Sequence, residues 1–152
     1  MRIISGYPPN IDEIDAAFRV KGQKIIYAYG DRIYAANGAT VGPEKVAHEA
    51  VHCARQLKFG MSADPELRVR GWWGLYISSP AFRLAEEIPA HIAEYVAITA
   101  REDNRASRRR APVIVASQLA SPLYGRLISC SEAKRVILAG AKAATERAME
   151  TA

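Results

Sequence analysis

With 152 residues, 49% of them hydrophobic, and a net charge of +5, the chain is expected to form one domain, residues 1–152, with a genuine hydrophobic core. No run of about 18 apolar residues occurs and the N-terminus has no basic-then-apolar signal, which argues against a membrane span and predicts a cytoplasmic protein. The two cysteines, Cys53 and Cys130, are too few for a disulfide framework and are expected to be structural.

The sequence predicts a strand over residues 1–7, a short helix over residues 11–18 and a β-hairpin over residues 24–35. Asn10 is expected to cap the helix, whose first turn carries two acidic residues. In the hairpin, β-branched and aromatic residues flank the turn dipeptide Gly30-Asp31. The hairpin leads into a helix that opens at Pro43, so a small antiparallel β-sheet is expected next to that helix.

The helix that opens at Pro43 carries His48-Glu49-Ala50-Val51-His52, an HExxH pattern. Residues four apart share a helical face, so His48 and His52 can converge on one metal ion. Glu49, one step round the helix, can reach a water at that ion and act as general base. The pattern therefore predicts a zinc site, with two ligands and a base in one short segment.

A pattern this short also occurs by chance, on amphipathic helices with two surface histidines. Two observations favour the metal site instead. The chain has three histidines and two of them fall in the motif, and the residues around them make the helix largely apolar. An unpaired polar group buried there would cost roughly 1–3 kcal/mol, which a bound metal would offset.

Beyond the motif helix, residues 60–71 are expected to form a loop and residues 72–77 a short aromatic turn or helix. Its adjacent tryptophans are expected to anchor the core, with a substrate platform as the alternative. A long helix is predicted over residues 80–104, capped by Ser79 and kinked at Pro89.

The C-terminal part is expected to contain a segment at residues 112–119, a break at Ser121-Pro122 and a helix over residues 131–149. The whole chain thus predicts an α+β fold that is mostly helical.

Positive charge is concentrated in five arginines, Arg101, Arg105, Arg108, Arg109 and Arg110. A basic run this short is usually a solvated loop or helix end. Contact with nucleic acid or with an acidic partner surface is the alternative. No interleaved aromatic residues accompany the cluster, so nucleic acid is not expected as a partner.

A zinc ion needs a third protein ligand, with the fourth position left for water. The long helix offers four candidates, Glu86, Glu87, His91 and Glu94. Glu87, His91 and Glu94 share one helical face, whereas Glu86 lies among alanines, where it would also suit a ligand facing a closely packed helix. Helical phase alone leaves Glu86 and Glu87 both open.

The HExxH motif followed on a later helix by Glu87-Ile88-Pro89-Ala90 resembles the gluzincin arrangement, HExxH plus a downstream ExxA. The resemblance implies Zn²⁺ held by His48, His52 and Glu87, with Glu49 as the catalytic base. Many gluzincins carry an aspartate four residues after the ligand glutamate, where it orients a zinc histidine. This chain has His91 there, which is expected to support the metal ligands, to stabilise an oxyanion or to fill the core.

Several spaced motifs between residues 25 and 100 are similar to those of a family of small phage and prophage metallopeptidases. They are Tyr29-Gly30-Asp31-x-Ile33-Tyr34, HExxH with Arg55-Gln56, Trp72-Trp73-x-x-Tyr76 and Phe82-Arg83-Leu84-x-x-Glu87-Ile88-Pro89-Ala90. The resemblance implies a zinc metallopeptidase that hydrolyses a peptide bond in a protein or in the peptide part of peptidoglycan.

The alternative is a phage virion or assembly protein that keeps a structural or vestigial zinc site and binds other phage structural proteins. Either protein would be made in the host cytoplasm, and the second would be incorporated in the phage particle.

The short motifs do not identify the oxyanion donor, for which Tyr76, Tyr95, Tyr124 and His91 are candidates. In zinc peptidases of this general build, an exposed strand beside the active helix pairs with an extended peptide. Residues 24–35 can provide such an edge. An ordinary small sheet covering one side of the core is the alternative.

Overall fold

The computed structural model describes residues 1–151. The strands are β1 (Arg2–Ser5), β2 (Ile26–Tyr29) and β3 (Arg32–Ala35). The helices are α1 (Ile11–Phe18), α2 (Pro43–Leu57), α3 (Pro65–Ser78), α4 (Pro80–Arg101), α5 (Arg105–Leu119) and α6 (Cys130–Glu150). The predicted α+β class with a helical majority and a small sheet is confirmed.

The three strands form one sheet in the order β1-β3-β2. β2 and β3 are the predicted antiparallel hairpin, and Gly30, at φ +62°, takes the positive φ that a tight hairpin turn requires. β1 pairs with β3 in parallel, so the sheet is mixed rather than purely antiparallel. The chain runs from β1 through α1 and β2 before it reaches β3, and β3 then pairs with β1 in the same direction. The outer edge of β2 is therefore left to face α2.

The expected loop over residues 60–71 is wrong from Pro65 onward, because α3 begins there. Asp64 caps this helix through its side chain, and proline at the first turn is compatible with a helix start. This start signal extends the short aromatic segment into a full helix. Trp72 and Trp73 consequently lie in mid-helix, where both are buried.

The long helix α4 runs without interruption through Pro89 and ends at Arg101 rather than at residue 104. Asn104 caps the next helix instead, because its side chain accepts hydrogen bonds from the first N–H groups of α5. As a result, most of the arginine cluster lies on the first turns of α5 and not in a loop.

The predicted break at Ser121-Pro122 is a 3₁₀ turn, Pro122–Tyr124, between α5 and α6. α6 starts at Cys130 because Ser129 and Glu132 form a reciprocal capping box, which places the start one position before the expected residue 131.

Two hydrophobic clusters flank the packed pair of helices α2 and α4. The first lies between the sheet, α1 and α3, and its larger members are Tyr27, Tyr29, Tyr34, Trp72, Trp73 and Tyr76. The second joins α5 and α6 to α4 through Val115, Leu119 and Ile137. The polar residues of the HExxH motif are enclosed between these clusters.

Candidate metal centre

Helices α2 and α4 bury a polar layer where they pack together. The residues of this layer are His48, Glu49 and His52 from α2 and Glu87, His91 and Glu94 from α4, all of them buried. Each of these groups would cost roughly 1–3 kcal/mol if it were buried without a partner. The layer must therefore be satisfied by internal contacts or by a ligand.

Two imidazoles and one carboxylate converge in the layer. The Nε2 atoms of His48 and His52 lie 3.3 Å apart. One carboxylate oxygen of Glu87 lies 3.5 Å from His48 Nε2, and the other lies 3.4 Å from His52 Nε2. A tetrahedral ion with bonds of about 2.0–2.1 Å requires donor atoms about 3.3–3.4 Å apart, so these three groups have the spacing of a metal site.

Three buried nitrogen and oxygen atoms of the layer have no hydrogen-bond partner among residues 1–151. They are Nδ1 of His52, Oε2 of Glu87 and Nε2 of His91. His48, Glu87 and His91 form a second convergent group, whose ligand atoms all lie within 4.8 Å of one another. A metal ion could thus be held by this buried histidine–glutamate group, and the unpartnered donors fit such an ion.

Glu94 orients the first motif histidine. One of its carboxylate oxygens lies 2.9 Å from Nδ1 of His48, which leaves Nε2 of that ring aimed at Glu87 and His52. The other oxygen accepts a hydrogen bond from Lys45 at 2.5 Å, and Lys45 also donates to Gln118 of α5. Glu94 therefore fixes the orientation of the His48 ring.

The charges of the layer are coupled. Burial by itself lowers the pKa of His48, but hydrogen bonds to Glu87 and Glu94 outweigh it and raise that pKa to about 10. Burial likewise opposes ionisation of Glu87, yet His52 and His48 hold the pKa of its carboxyl well below the usual range. Metal binding would therefore displace a proton from His48.

Glu49, unlike Glu87 and Glu94, is not paired with a histidine by a hydrogen bond. Burial raises the pKa of its carboxyl, and the two motif histidines counteract only part of that effect. Its side chain makes no hydrogen bond within residues 1–151 and borders a cavity of about 70 Å³ that is also lined by His48, His52 and Glu87. Such a cavity has room for a few water molecules. Glu49 is thus placed beside the convergent donors with its carboxylate uncommitted.

Glu86, the other glutamate that helical phase left open, points away from this group. Arg55 donates to both of its carboxylate oxygens, at 2.5 and 2.8 Å, and the indole N–H of Trp72 donates at 2.9 Å. Burial opposes ionisation, but these donors lower the pKa of Glu86 below its ordinary value. The structure thus engages Glu86 in joining α2, α3 and α4, and brings Glu87 to the histidines.

The three candidate tyrosines occupy different environments. The hydroxyl of Tyr76 donates to Oε1 of Glu87, so this residue supports the carboxylate. Tyr95 packs against the hydrophobic cluster of α5 and α6. Tyr124, on the 3₁₀ turn, lines the same cavity as Glu49.

The fourth candidate, His91, bonds through Nδ1 to the backbone oxygen of Glu87 at 2.9 Å. It therefore supports the same helix turn as Tyr76, in addition to any part that its free Nε2 plays.

The edge strand β2 forms one wall of the cavity, to which residues 25–28 contribute. Part of its outer edge is already occupied, because Gln56 and Trp73 both donate to the backbone oxygen of Ala28. Gln56 also accepts a hydrogen bond from the N–H of Gly30 at 2.8 Å. α2 and α3 thus fix the hairpin against the candidate metal centre.

The remaining sequence features lie outside this centre. Arg105, Arg108, Arg109 and Arg110 are exposed on α5, and none of the five clustered arginines lines the cavity. Cys53 is a buried free thiol next to β3, and Cys130 is an exposed free thiol at the start of α6. No helix within residues 1–151 combines the length and apolar character needed to cross a membrane.

Sequence reasoning missed three contributors to the site: Lys45, Gln118 and Arg83. Lys45 lies one helical turn before His48, so its place on the motif face was detectable from spacing. Gln118 carries no comparable signal, and Arg83 lies in a quoted motif that assigns it no role, because tertiary packing alone brings them to Lys45 and to Tyr124.

Comparison with known proteins offers no relative from which a function can be transferred. No family model, curated protein or solved structure matches this chain.

Proposed function

We propose that this chain is a zinc-dependent metallopeptidase that hydrolyses a peptide (amide) bond. The proposal depends above all on one observation: His48, His52 and Glu87 converge at donor separations of 3.3, 3.4 and 3.5 Å, with Glu49 beside them at a cavity. Two imidazoles and one carboxylate are a donor set of catalytic zinc sites, which keep one position open.

His48, His52 and Glu87 would hold the ion. Zinc suits this set because it accepts imidazole and carboxylate donors in a tetrahedral arrangement. When bound, zinc supplies a Lewis acid that polarises the substrate carbonyl and makes water a nucleophile near neutral pH.

Glu49 is the general base and then the general acid. It takes a proton from the attacking water and delivers it to the amine nitrogen as the C–N bond breaks. Burial raises the pKa of Glu49, which brings this carboxyl closer to the pH at which proton transfer in both directions is efficient. Glu94 orients the ring of His48, while Tyr76 donates to Glu87, so the ligand side chains are held in place.

The substrate is a peptide, either within a protein or as the peptide part of peptidoglycan. The cavity wall formed by β2 supports this choice, because an extended chain gains main-chain hydrogen bonds beside an edge strand wherever Gln56 and Trp73 do not already occupy that edge. The resemblance to small phage and prophage metallopeptidases supports a phage origin and other phage structural proteins as partners.

A second candidate function is a phage structural protein whose zinc site serves stability alone. The observation that favours it is the enclosure of the centre. Glu87 is 2% exposed, and His91, 1% exposed, has an unpartnered Nε2 in the same layer. A fourth protein donor would close the site to substrate, as in structural zinc sites.

Metal analysis and two variants of the motif test the proposed function. Purified wild-type protein should contain one zinc per chain by mass spectrometry and should cleave members of a mixed peptide and muropeptide library. Glu49→Gln should keep the zinc and lose turnover, because it removes the base and no ligand. His48→Ala should lose both. Glu13→Gln, an exposed carboxylate on α1, is the matched control and should change neither.

Wild-type protein without stoichiometric zinc, together with a His48→Ala variant of unchanged metal content and melting temperature, would refute the metal site. Zinc-loaded protein that cleaves nothing in the library and co-purifies with phage tail or capsid proteins would favour the structural candidate.

A further inference from the structure

Hydrolysis of an amide creates negative charge on the carbonyl oxygen, and the donor that stabilises this charge must stand at the cavity beside Glu49. Among the candidates, Tyr76 also lines the cavity, but it is buried on α3 with its hydroxyl bonded to Glu87, and Tyr95 packs in the cluster of α5 and α6. His91 uses its Nδ1 for the backbone of its own helix and is 1% exposed. Tyr124 remains, on a surface turn at the cavity rim.

From this placement we infer that Tyr124 is the oxyanion donor of the proposed peptidase and that Arg83 is the residue that positions it. The inference rests on the proposed function and assigns a residue outside the HExxH and ExxA motifs to the chemistry.

Tyr124 faces the catalytic carboxylates. Its ring packs edge-on against His91, with centroids 5.4 Å apart, and together with Leu123 and β2 it lines the cavity. A phenol O–H is a hydrogen-bond donor, which is what an oxyanion needs.

Arg83 ties the backbone of Tyr124 to the end of α3. Its guanidinium donates to the backbone oxygen of Tyr124 at 3.0 Å, to that of Tyr76 at 2.7 Å and to that of Ile77 at 3.3 Å. The latter two oxygens belong to the last turn of α3, where the helix dipole favours a cation.

The surroundings of Arg83 are backbone oxygens and aromatic rings. Its guanidinium stacks over Phe18 and Tyr76, at 5.0 and 5.9 Å from their ring centroids. Because this buried cation bonds to backbone oxygens of two separate segments, it fixes the position of the Tyr124 turn relative to the end of α3. The sharp left-handed turn at Gly125, φ +94°, directly follows the tethered residue.

In the chemical step, Tyr124 donates a hydrogen bond but transfers no proton. The water oxygen bonds to the carbonyl carbon, and the π electrons of the carbonyl move to its oxygen. The O–H of Tyr124 then donates a hydrogen bond to that oxygen. Glu49 holds the proton taken from water until the amine nitrogen accepts it and the C–N bond breaks.

Binding of a tetrahedral mimic tests the inference independently of turnover. The probe is a phosphinic alanine–alanine pseudodipeptide, titrated calorimetrically into zinc-loaded full-length protein. Tyr124→Phe should bind zinc within about twofold of wild type but bind the probe about 10- to 100-fold more weakly, because one donor to the oxyanion is lost. Tyr95→Phe removes a hydroxyl away from the cavity and should bind both as wild type does.

A double-mutant cycle on probe affinity tests whether Arg83 acts through Tyr124. Arg83→Met should weaken probe binding to a similar extent, and the double variant with Tyr124→Phe should lose little more, because both changes remove the same contact. A merely structural role of Arg83 predicts additive losses instead. Where Arg83→Met does not fold, Arg83→Lys serves in the same cycle.

Equal probe affinity of zinc-loaded wild type and Tyr124→Phe would overturn the inference while leaving the peptidase proposal intact. Zinc-loaded wild-type protein that fails to bind the probe at all would overturn it as well. Wild-type protein that binds no zinc would overturn the proposed function itself.

Discussion

At the scale of single residues, the centre depends on polar side chains that hold one another in place inside an apolar interior. Glu94 contacts Nδ1 of His48 at 2.9 Å and Nζ of Lys45 at 2.5 Å, so it joins a metal-ligand candidate to a cation. The negative charge of Glu94 makes the imidazole a better donor and selects the ring nitrogen that faces Glu87. The ring of His48 is thus oriented by a residue of α4, the helix that also carries Glu87, and not by a residue of its own helix.

Replacing Glu94 with glutamine tests this arrangement. Glu94→Gln keeps the shape of the side chain but removes its charge, so zinc affinity should fall about 10- to 100-fold. Competition with a calibrated zinc chelator measures the change. Glu13→Gln, on the exposed face of α1, should leave the affinity unaltered. An unaltered affinity in Glu94→Gln would show that His48 needs no such partner.

At the scale of elements, the β2–β3 hairpin is fixed to α2 by a single buried amide. Gln56 is fully buried and donates to the backbone oxygen of Ala28 while accepting from the N–H of Gly30. It thus replaces the hydrogen bonds that another strand would make at this edge. Because Gln56 lies one helical turn after His52, the same helix places both the hairpin wall and the two candidate histidine ligands.

Removing this amide should destabilise the fold. Gln56→Leu leaves the N–H of Gly30 unsatisfied, whereas Ala28 keeps its bond from Trp73. We expect the free energy of unfolding to fall by about 1–3 kcal/mol, measured by urea denaturation. Gln23→Leu alters an exposed amide that contacts one backbone oxygen and should change stability by less than about 0.5 kcal/mol. Equal stability of the two variants would mean that the hydrogen bonds of Gln56 contribute nothing measurable to holding the hairpin.

At the scale of the whole molecule, the centre lies between two hydrophobic clusters that belong to different parts of the chain. One involves the sheet and α3, and the other involves α5 and α6. The layer of α2 and α4 joins them, and its buried charges are unfavourable in an apolar interior unless they are paired. A bound ion would therefore stabilise the entire fold and not only the site.

Thermal unfolding with and without zinc measures this coupling. Free zinc at 1,000 times its Kd should add about 4 kcal/mol to the stability of the folded state. For a domain of this length, that corresponds to a rise in Tm of about 8–16 °C, reversed by chelator. His48→Ala should show no zinc-dependent shift. An equal shift in His48→Ala would place the bound zinc elsewhere.

Local sequence determined the parts of this protein that depend on neighbours along the chain. The HExxH spacing placed His48, Glu49 and His52 together on α2, because helical periodicity is independent of tertiary contacts. Strand-forming residues around Gly30-Asp31 predicted the hairpin, and start signals placed α1, α2, α4 and α6 to within a few residues. Asn10 precedes α1 as expected, but its side chain makes no capping hydrogen bond. The start of α3 at Asp64-Pro65 was missed although its signal is local, because glycines and polar residues nearby suggested a loop.

Only the tertiary structure decided what depends on contacts between distant segments. Parallel pairing of β1 with β3 and the separation of Glu86 from Glu87 both follow from how elements pack. The contact between Glu94 and His48 joins residues 46 positions apart, and the contact between Arg83 and Tyr124 joins residues 41 positions apart. Adjacent glutamates have the same local propensities, so the choice between them requires knowing which helix face meets the imidazoles and which meets Arg55.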